Sequence, residues 1–362
     1  MAFSKEISGI NDNRIEFIDV AKGIGIILVV FGHVVWGGSY AMQGASDLSN
    51  FIYSFHMPLF FVISGLCIKD SKSLSVVTFN KMVRAYLVPY VVWTVIYTAI
   101  REAKVMVGGE ESVIGLNNWF FAHAISICGV APLWFLLALF IAESITLMLK
   151  PLLQNLFVSV ATLILFASAS IVSSFYYDSL SDINLVVRNY LMGFFRIFPT
   201  TFFVLFGYVF KQKILKSCEW NSRIRGIVFC ILFCIQLCLC INWNESIDVH
   251  VFTLANQWLY FIKSINGCMI ILLMSQTIHF TVLMTLGRKT KEIMILHYPP
   301  FVWIPVMKFV MGMMFFPNIY CAVIITVATI GGCLFVDLIC RRFRIWQFII
   351  GNKMIKTNLE CQ

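Results

Sequence analysis

Apolar runs long enough to cross a bilayer recur from one end of this chain to the other, and they constrain its fold more than any other feature. A hydrocarbon core about 30 Å thick takes roughly 17–25 residues of helix per crossing. Inside it, backbone N–H and C=O groups must be satisfied within the segment, which a helix does and an open strand does not. Ten such runs are read, at roughly 23–41, 51–68, 85–100, 132–149, 152–175, 191–210, 226–241, 257–280, 292–316 and 319–340. Charged residues make up 12% of the chain against 60% hydrophobic, about half the charged share of a soluble domain. The expectation is an all-α, polytopic transmembrane helix bundle of about ten spans, with the lipid bilayer as its partner.

A formal charge of +9 invites a nucleic-acid reading, and the placement of the charges decides against it. With the N-terminus in the cytoplasm, one side collects Lys5, Arg14, Lys22, Lys69, Lys72, Lys81, Arg84 and Lys150. The same side collects Lys211, Lys213, Lys216, Arg223, Arg225, Arg288, Lys289, Lys291, and the tail residues Arg341, Arg342, Arg344, Lys353 and Lys356. Only Arg101, Lys104, Arg188, Arg196, Lys263 and Lys308 fall elsewhere. That asymmetry is the positive-inside bias of membrane proteins. The external connections 176–189 and 242–256 carry Asp178, Asp182, Glu245 and Asp248 instead. Both termini are expected in the cytoplasm, and no nucleic-acid partner is expected.

A single integral membrane domain is expected over 1–362, with spans from about 23 to 340 and a basic cytoplasmic tail over 341–362. No connection is long enough to fold alone. Stretch 101–131, with Trp119, Phe120 and Phe121, is a candidate for lying in the interface or re-entering the membrane. The first apolar run follows a polar N-terminus without a small-residue cleavage site, so it reads as a permanent span. Cys230, Cys234 and Cys238 repeat at four residues without a CxxC pair or a nearby histidine. They read as packing residues, and no metal site is expected.

Ionisable residues within spans are the informative ones, because burying them unpaired is costly. His33 follows Lys22 by eleven residues, three helical turns or about 16 Å, so the two share a face. Asp19 joins that stripe, about 21 Å from His33 and too far to orient it from the same helix. Gly23, Gly25 and Gly32 keep the helix narrow. A neutral imidazole at this depth is a candidate general base. Asp19 and Lys22 read equally as interfacial anchors. His56, in Phe55-His56-Met57-Pro58, reads either as a partner of the first span or as a residue at a helix start. Glu143 lies inside the fourth span and needs a partner from another helix. Lys81, Arg84 and Pro89 form a basic entry to the third span, and His297 alone reads as a packing histidine.

Taken in order, Arg14…Asp19-x-x-Lys22-Gly23…Gly32-His33 resembles the first-helix signature of the acyltransferase 3 family of integral membrane acyltransferases, and more narrowly its fucose 4-O-acetylase-like branch. The resemblance continues through Phe55-His56-Met57-Pro58-Leu59-Phe60-Phe61, Ser64-Gly65, Arg84…Pro89-Tyr90 and Leu133-Trp134-Phe135-Leu136. It closes with Phe206-Gly207, Leu286-Gly287 and Ile295-Leu296-His297, covering about 280 residues.

The resemblance implies acyl transfer, usually of acetyl from acetyl-CoA to a hydroxyl of a surface glycan or its lipid-linked precursor. Acetyl-CoA would be a co-substrate, and no cofactor would be bound permanently. His33 matches the family's essential first-helix histidine. Lys22 stands where many members have arginine, keeping the charge without the bidentate fork. The donor's phosphates would face Lys22, Arg84 and Arg14, with Asp19, His56, Trp134, Glu143 and His297 as further binding candidates. His56 and Glu143 are the named partners for His33 from other spans. The implied setting is the bacterial cytoplasmic membrane and the product an O-acetylated O-antigen, capsule or exopolysaccharide. The rivals are a polysaccharide flippase or other transporter, lined by ionisable residues along several spans, and a glycan polymerase with a large external loop. Neither needs acetyl-CoA.

Overall fold

The computed structural model describes residues 15–36, 45–71, 73–108, 119–180, 183–254, 256–298 and 319–352. Its helices in chain order are α1 (Glu16–Trp36), α2 (Ala45–Tyr53), α3 (His56–Cys67), α4 (Val76–Met82), α5 (Val88–Gly108), α6 (Trp134–Leu149), α7 (Leu156–Asp178) and α8 (Leu185–Val209). There follow α9 (Lys211–Lys216), α10 (Ser222–Asn242), α11 (Gln257–Ser275), α12 (Thr281–Arg288), α13 (Thr290–Leu296), α14 (Ile319–Cys340) and α15 (Arg344–Ile349). Among the described residues there is no named strand, and nine helical stretches are long and apolar enough to span a membrane. They correspond to nine of the ten predicted spans. The remaining one, 292–316, opens on α13 and then leaves the described residues.

Two boundaries differ from expectation in ways that matter. The first helix begins at Glu16 rather than 23, so Asp19 and Lys22 lie within it and His33 falls in its last turn. Hydropathy alone excluded the charged turn, but Asp19 finds Arg288 on α12 at 3.1 Å and can be buried. The third span runs Val76–Ala103, much longer than the predicted 85–100. It passes through a π-helical turn at Val83–Leu87, a feature often found where function requires a distorted helix.

The second span is two helices. Pro58 has no N–H to give the carbonyl of Ser54, and the helix breaks at Ser54-Phe55. That carbonyl is taken instead by the Ser264 hydroxyl of α11 at 2.7 Å. Gly267, also on α11, leaves room for the Phe55 ring, which a Cβ would strike. The break therefore puts Tyr53 and His56 on either side of a fixed corner.

Small residues set two close crossings, each between helices that run in the same direction. A methyl on Gly23 would meet the Leu283 carbonyl, and one on Gly287 the Asp19 carbonyl, so α1 and α12 touch through their backbones. Gly65 faces the Val204 carbonyl and Gly207 the Val62 carbonyl in the same way, joining α3 to α8. At the other extreme α10 buries one side chain, Gln236, bonded to Ser54 and to Asn266. Its Cys230, Cys234 and Cys238 face outward.

Two connections on the side opposite the basic face fold back over the bundle. Residues 119–130 include a π-helical stretch, Phe120–Ile125, whose Phe120, Phe121 and Ile125 are exposed as an interfacial segment would have them. Residues 243–254 bury Ile247, Val249, Phe252 and Leu254. On the basic face, part of the predicted tail is docked. Trp346 and Ile350 are buried, and Trp93 donates to the Ile349 carbonyl at 3.1 Å. Residues 353–362 lie outside the described residues.

Candidate active site

His33, Tyr53, His56 and His297 come together from four elements. The Tyr53 hydroxyl lies 3.1 Å from His33 Nδ1, with the two rings edge to face. Gly32, beside the Tyr53 ring, makes the approach feasible. Tyr53 also meets the His56 ring edge to face, centroids 4.6 Å apart. His297 stacks on His33 at 5.4 Å and 25°. Tyr53, His56 and His297 are buried, while His33 keeps part of its surface accessible.

Backbone carbonyls fix two of these imidazoles. His56 Nδ1 lies 3.0 Å from the Ile52 carbonyl and His297 Nδ1 3.0 Å from that of Ile293. A carbonyl only accepts, so each neutral ring carries its proton on Nδ1 and presents Nε2 as an acceptor. His33 differs, because its partner is a hydroxyl that can give or take. Nε2 can serve as a base only in the tautomer whose Nδ1–H donates to the Tyr53 oxygen. Among the described residues no carboxylate hydrogen-bonds His33, so tyrosine takes the place that a carboxylate holds in a His–Asp pair.

Above this cluster the two folded-back connections meet at Arg196, which is 1% exposed. Its guanidinium donates to the carbonyls of His250 (2.7 Å), Ile127 (3.1 Å) and Cys128 (2.5 Å). It also lies over the Trp134 ring at 4.5 Å, on which His250 stacks. Trp134, a candidate binding residue, is thus 5% exposed and held in this roof by two cationic or aromatic neighbours. Burial pushes the Asp248 carboxyl up to about 6. Burial, then the Arg196 charge, pushes His250 down to about 3.

Glu143 is engaged elsewhere. Its Oε1 accepts from Ser64 (2.5 Å) and Tyr86 (2.8 Å). Ser64 is eight residues past His56 on α3, about 12 Å along the axis, so Glu143 is not the partner of His33 that its position in the fourth span suggested. Asp19 is bound to Arg288 at the basic end of α1. Lys22 has no hydrogen bond or ion pair among the described residues, and is partly exposed. Arg84 sits in the π-helical turn, reaches the Asn352 carbonyl at 3.4 Å, and keeps a buried Nε without a partner. Arg14 lies outside the described residues.

Sequence reasoning did not single out Tyr53, Arg196, His250 or Asp248 as site residues. Arg196 carried a signal, a lone arginine inside an apolar run. Tyr53 carried none, since a tyrosine near the end of a span reads as interfacial.

The landmarks that meet in space are those spaced far apart in sequence: Asp19 with Gly287, Gly65 with Gly207, His33 with His297. A family model for an acyltransferase domain, acyltransferase 3, matches residues 15–338. The chain belongs to the acyltransferase 3 family. The match begins at the first residue of α1's approach and ends within α14, so the acyltransferase domain is the membrane bundle itself. Comparison with curated proteins and with solved structures finds no match to this chain.

Proposed function

We propose that this protein transfers acetyl from acetyl-CoA to a hydroxyl of a bacterial surface polysaccharide, or of its lipid-linked precursor, in the cytoplasmic membrane. The polysaccharide would be an O-antigen, a capsule or an exopolysaccharide. The observation that carries the reading is His33, partly accessible, with Nδ1 at hydrogen-bond distance from the Tyr53 hydroxyl; in the tautomer whose Nδ1–H donates to Tyr53, Nε2 is the base.

In the step we infer, Nε2 removes the proton of the sugar hydroxyl as its oxygen attacks the thioester carbon. The carbon–sulfur bond then breaks, and the imidazolium returns the proton to the leaving thiolate. Lys22 and the unsatisfied Arg84 Nε support phosphate binding at the basic face. The distance from Lys22 to His33, about 16 Å, suits the extended pantetheine arm between the donor's phosphates and its thioester. The test compares O-acetyl NMR signals of surface polysaccharide from cells carrying wild type or His33→Ala. Loss of the signals is expected, and full acetylation by the variant would sink the proposal.

A further inference from the structure

His33 and His56 flank Tyr53 and a third imidazole, His297, stacks on His33; the reaction above uses one of the three. His297 caps the end of α13 and is 1% exposed. Its Nδ1–H is tied to the Ile293 carbonyl of its own helix, so Nε2, across the ring, points away from that helix. Among the described residues this Nε2 has no hydrogen-bond partner. The ring lies stacked on His33. A buried acceptor without a donor is disfavoured, and one beside a reacting group is satisfied most simply by the ligand.

We propose that His297 is a substrate receptor: its Nε2 accepts a hydrogen bond from an O–H or N–H group of the molecule bound against His33. This rests on His33 being the reacting base. The lone pair excludes phosphate oxygens, carboxylates and the thioester carbonyl, none of which donates. Two parts of the reactants do donate. One is a sugar hydroxyl next to the attacking one, and the other is an amide N–H of the pantetheine arm.

The test uses the full chain in lipid nanodiscs, with acetyl-CoA as donor and methyl glycosides of common hexoses as acceptor probes. His297→Phe keeps a flat ring against His33 and removes the acceptor atom, while His297→Gln restores a side-chain oxygen. The phenylalanine variant should raise one KM about tenfold, with most of the change reversed by glutamine. A rise for the glycoside assigns the hydroxyl, and a rise for acetyl-CoA assigns the amide. Both KM values unchanged overturns the proposal, whatever happens to kcat. Should the phenylalanine variant misfold, ¹⁵N spectra of histidine-labelled wild type give a second measurement. The bare Nε2 signal of His297, identified by its loss in His297→Gln, should move when donor and glycoside are added, and an unmoved signal overturns the receptor. In His33→Ala that shift should survive while transfer is lost, which separates the receptor from the base.

Discussion

At the scale of single residues the informative contact is Tyr53 on His33 Nδ1. It is compatible with either tautomer, and only the one whose Nδ1–H donates to Tyr53 leaves Nε2 as a base. Tyr53→Phe keeps the ring against His33 and His56 and removes the oxygen alone. The expected result is a loss of about tenfold in kcat, the scale of one neutral hydrogen bond, with little change in KM for acetyl-CoA. A tyrosine that only filled space would leave kcat near wild type, so steady-state kinetics with acetyl-CoA decides. His33 itself was legible in the sequence because an imidazole in an apolar helix has no cheap structural explanation. Glu143 was legible as a buried carboxylate, but its partners were not. Ser64 and Tyr86 are uncharged residues on other helices, and nothing in a single sequence pairs them with it.

At the scale of elements, hydropathy located the helices and glycines located their crossings. Nine of the ten predicted spans appear among the described residues, because bilayer length is a strong constraint. What hydropathy missed has a local physical cause. The break at Ser54-Phe55 comes from Pro58 and is repaired by Ser264 from α11, a contact 210 residues away in sequence. The extension of α1 to Glu16 depends on Arg288. Glycine's role in the crossings gives a prediction with its own control. Gly287→Val would drive a side chain into the Asp19 carbonyl, whereas a Cβ on Gly226 meets nothing within 4 Å. Gly287→Val should therefore destabilise by about 3 kcal/mol or more, and Gly226→Val by less than about 0.5 kcal/mol. Fluorescence-detected size exclusion after heating the solubilised variants measures the difference, and equal melting of the two would refute the crossing.

At the scale of the whole molecule, the bundle has a basic face with Lys22 and Arg84, and a roof on the other side built from residues 119–130 and 243–254. The roof's stability should depend on pH through two groups of opposite sign. Asp248 titrates near 6 when folded, above its ordinary value of 3.8. The folded chain therefore holds a proton that the unfolded chain loses, so this contribution is complete below 3.8 and is lost as pH rises through 6. His250 titrates near 3 when folded, below its ordinary value of 6.5. There the unfolded chain gains the proton first, so stability is complete above 6.5 and is lost as pH falls toward 3. Between about 4 and 6 the two slopes oppose each other, and wild type should melt at a nearly constant temperature. Removing either group exposes the other. Asp248→Asn keeps a side-chain oxygen for the His250 N–H, bonded at 2.8 Å, but cannot titrate, so its melting temperature should climb as pH goes from 4 to 6. His250→Gln should show the reverse, falling over the same interval. Thermal melts in nanodiscs across this range give both slopes, and two variants with the flat wild-type profile would show that the roof is not where these groups act.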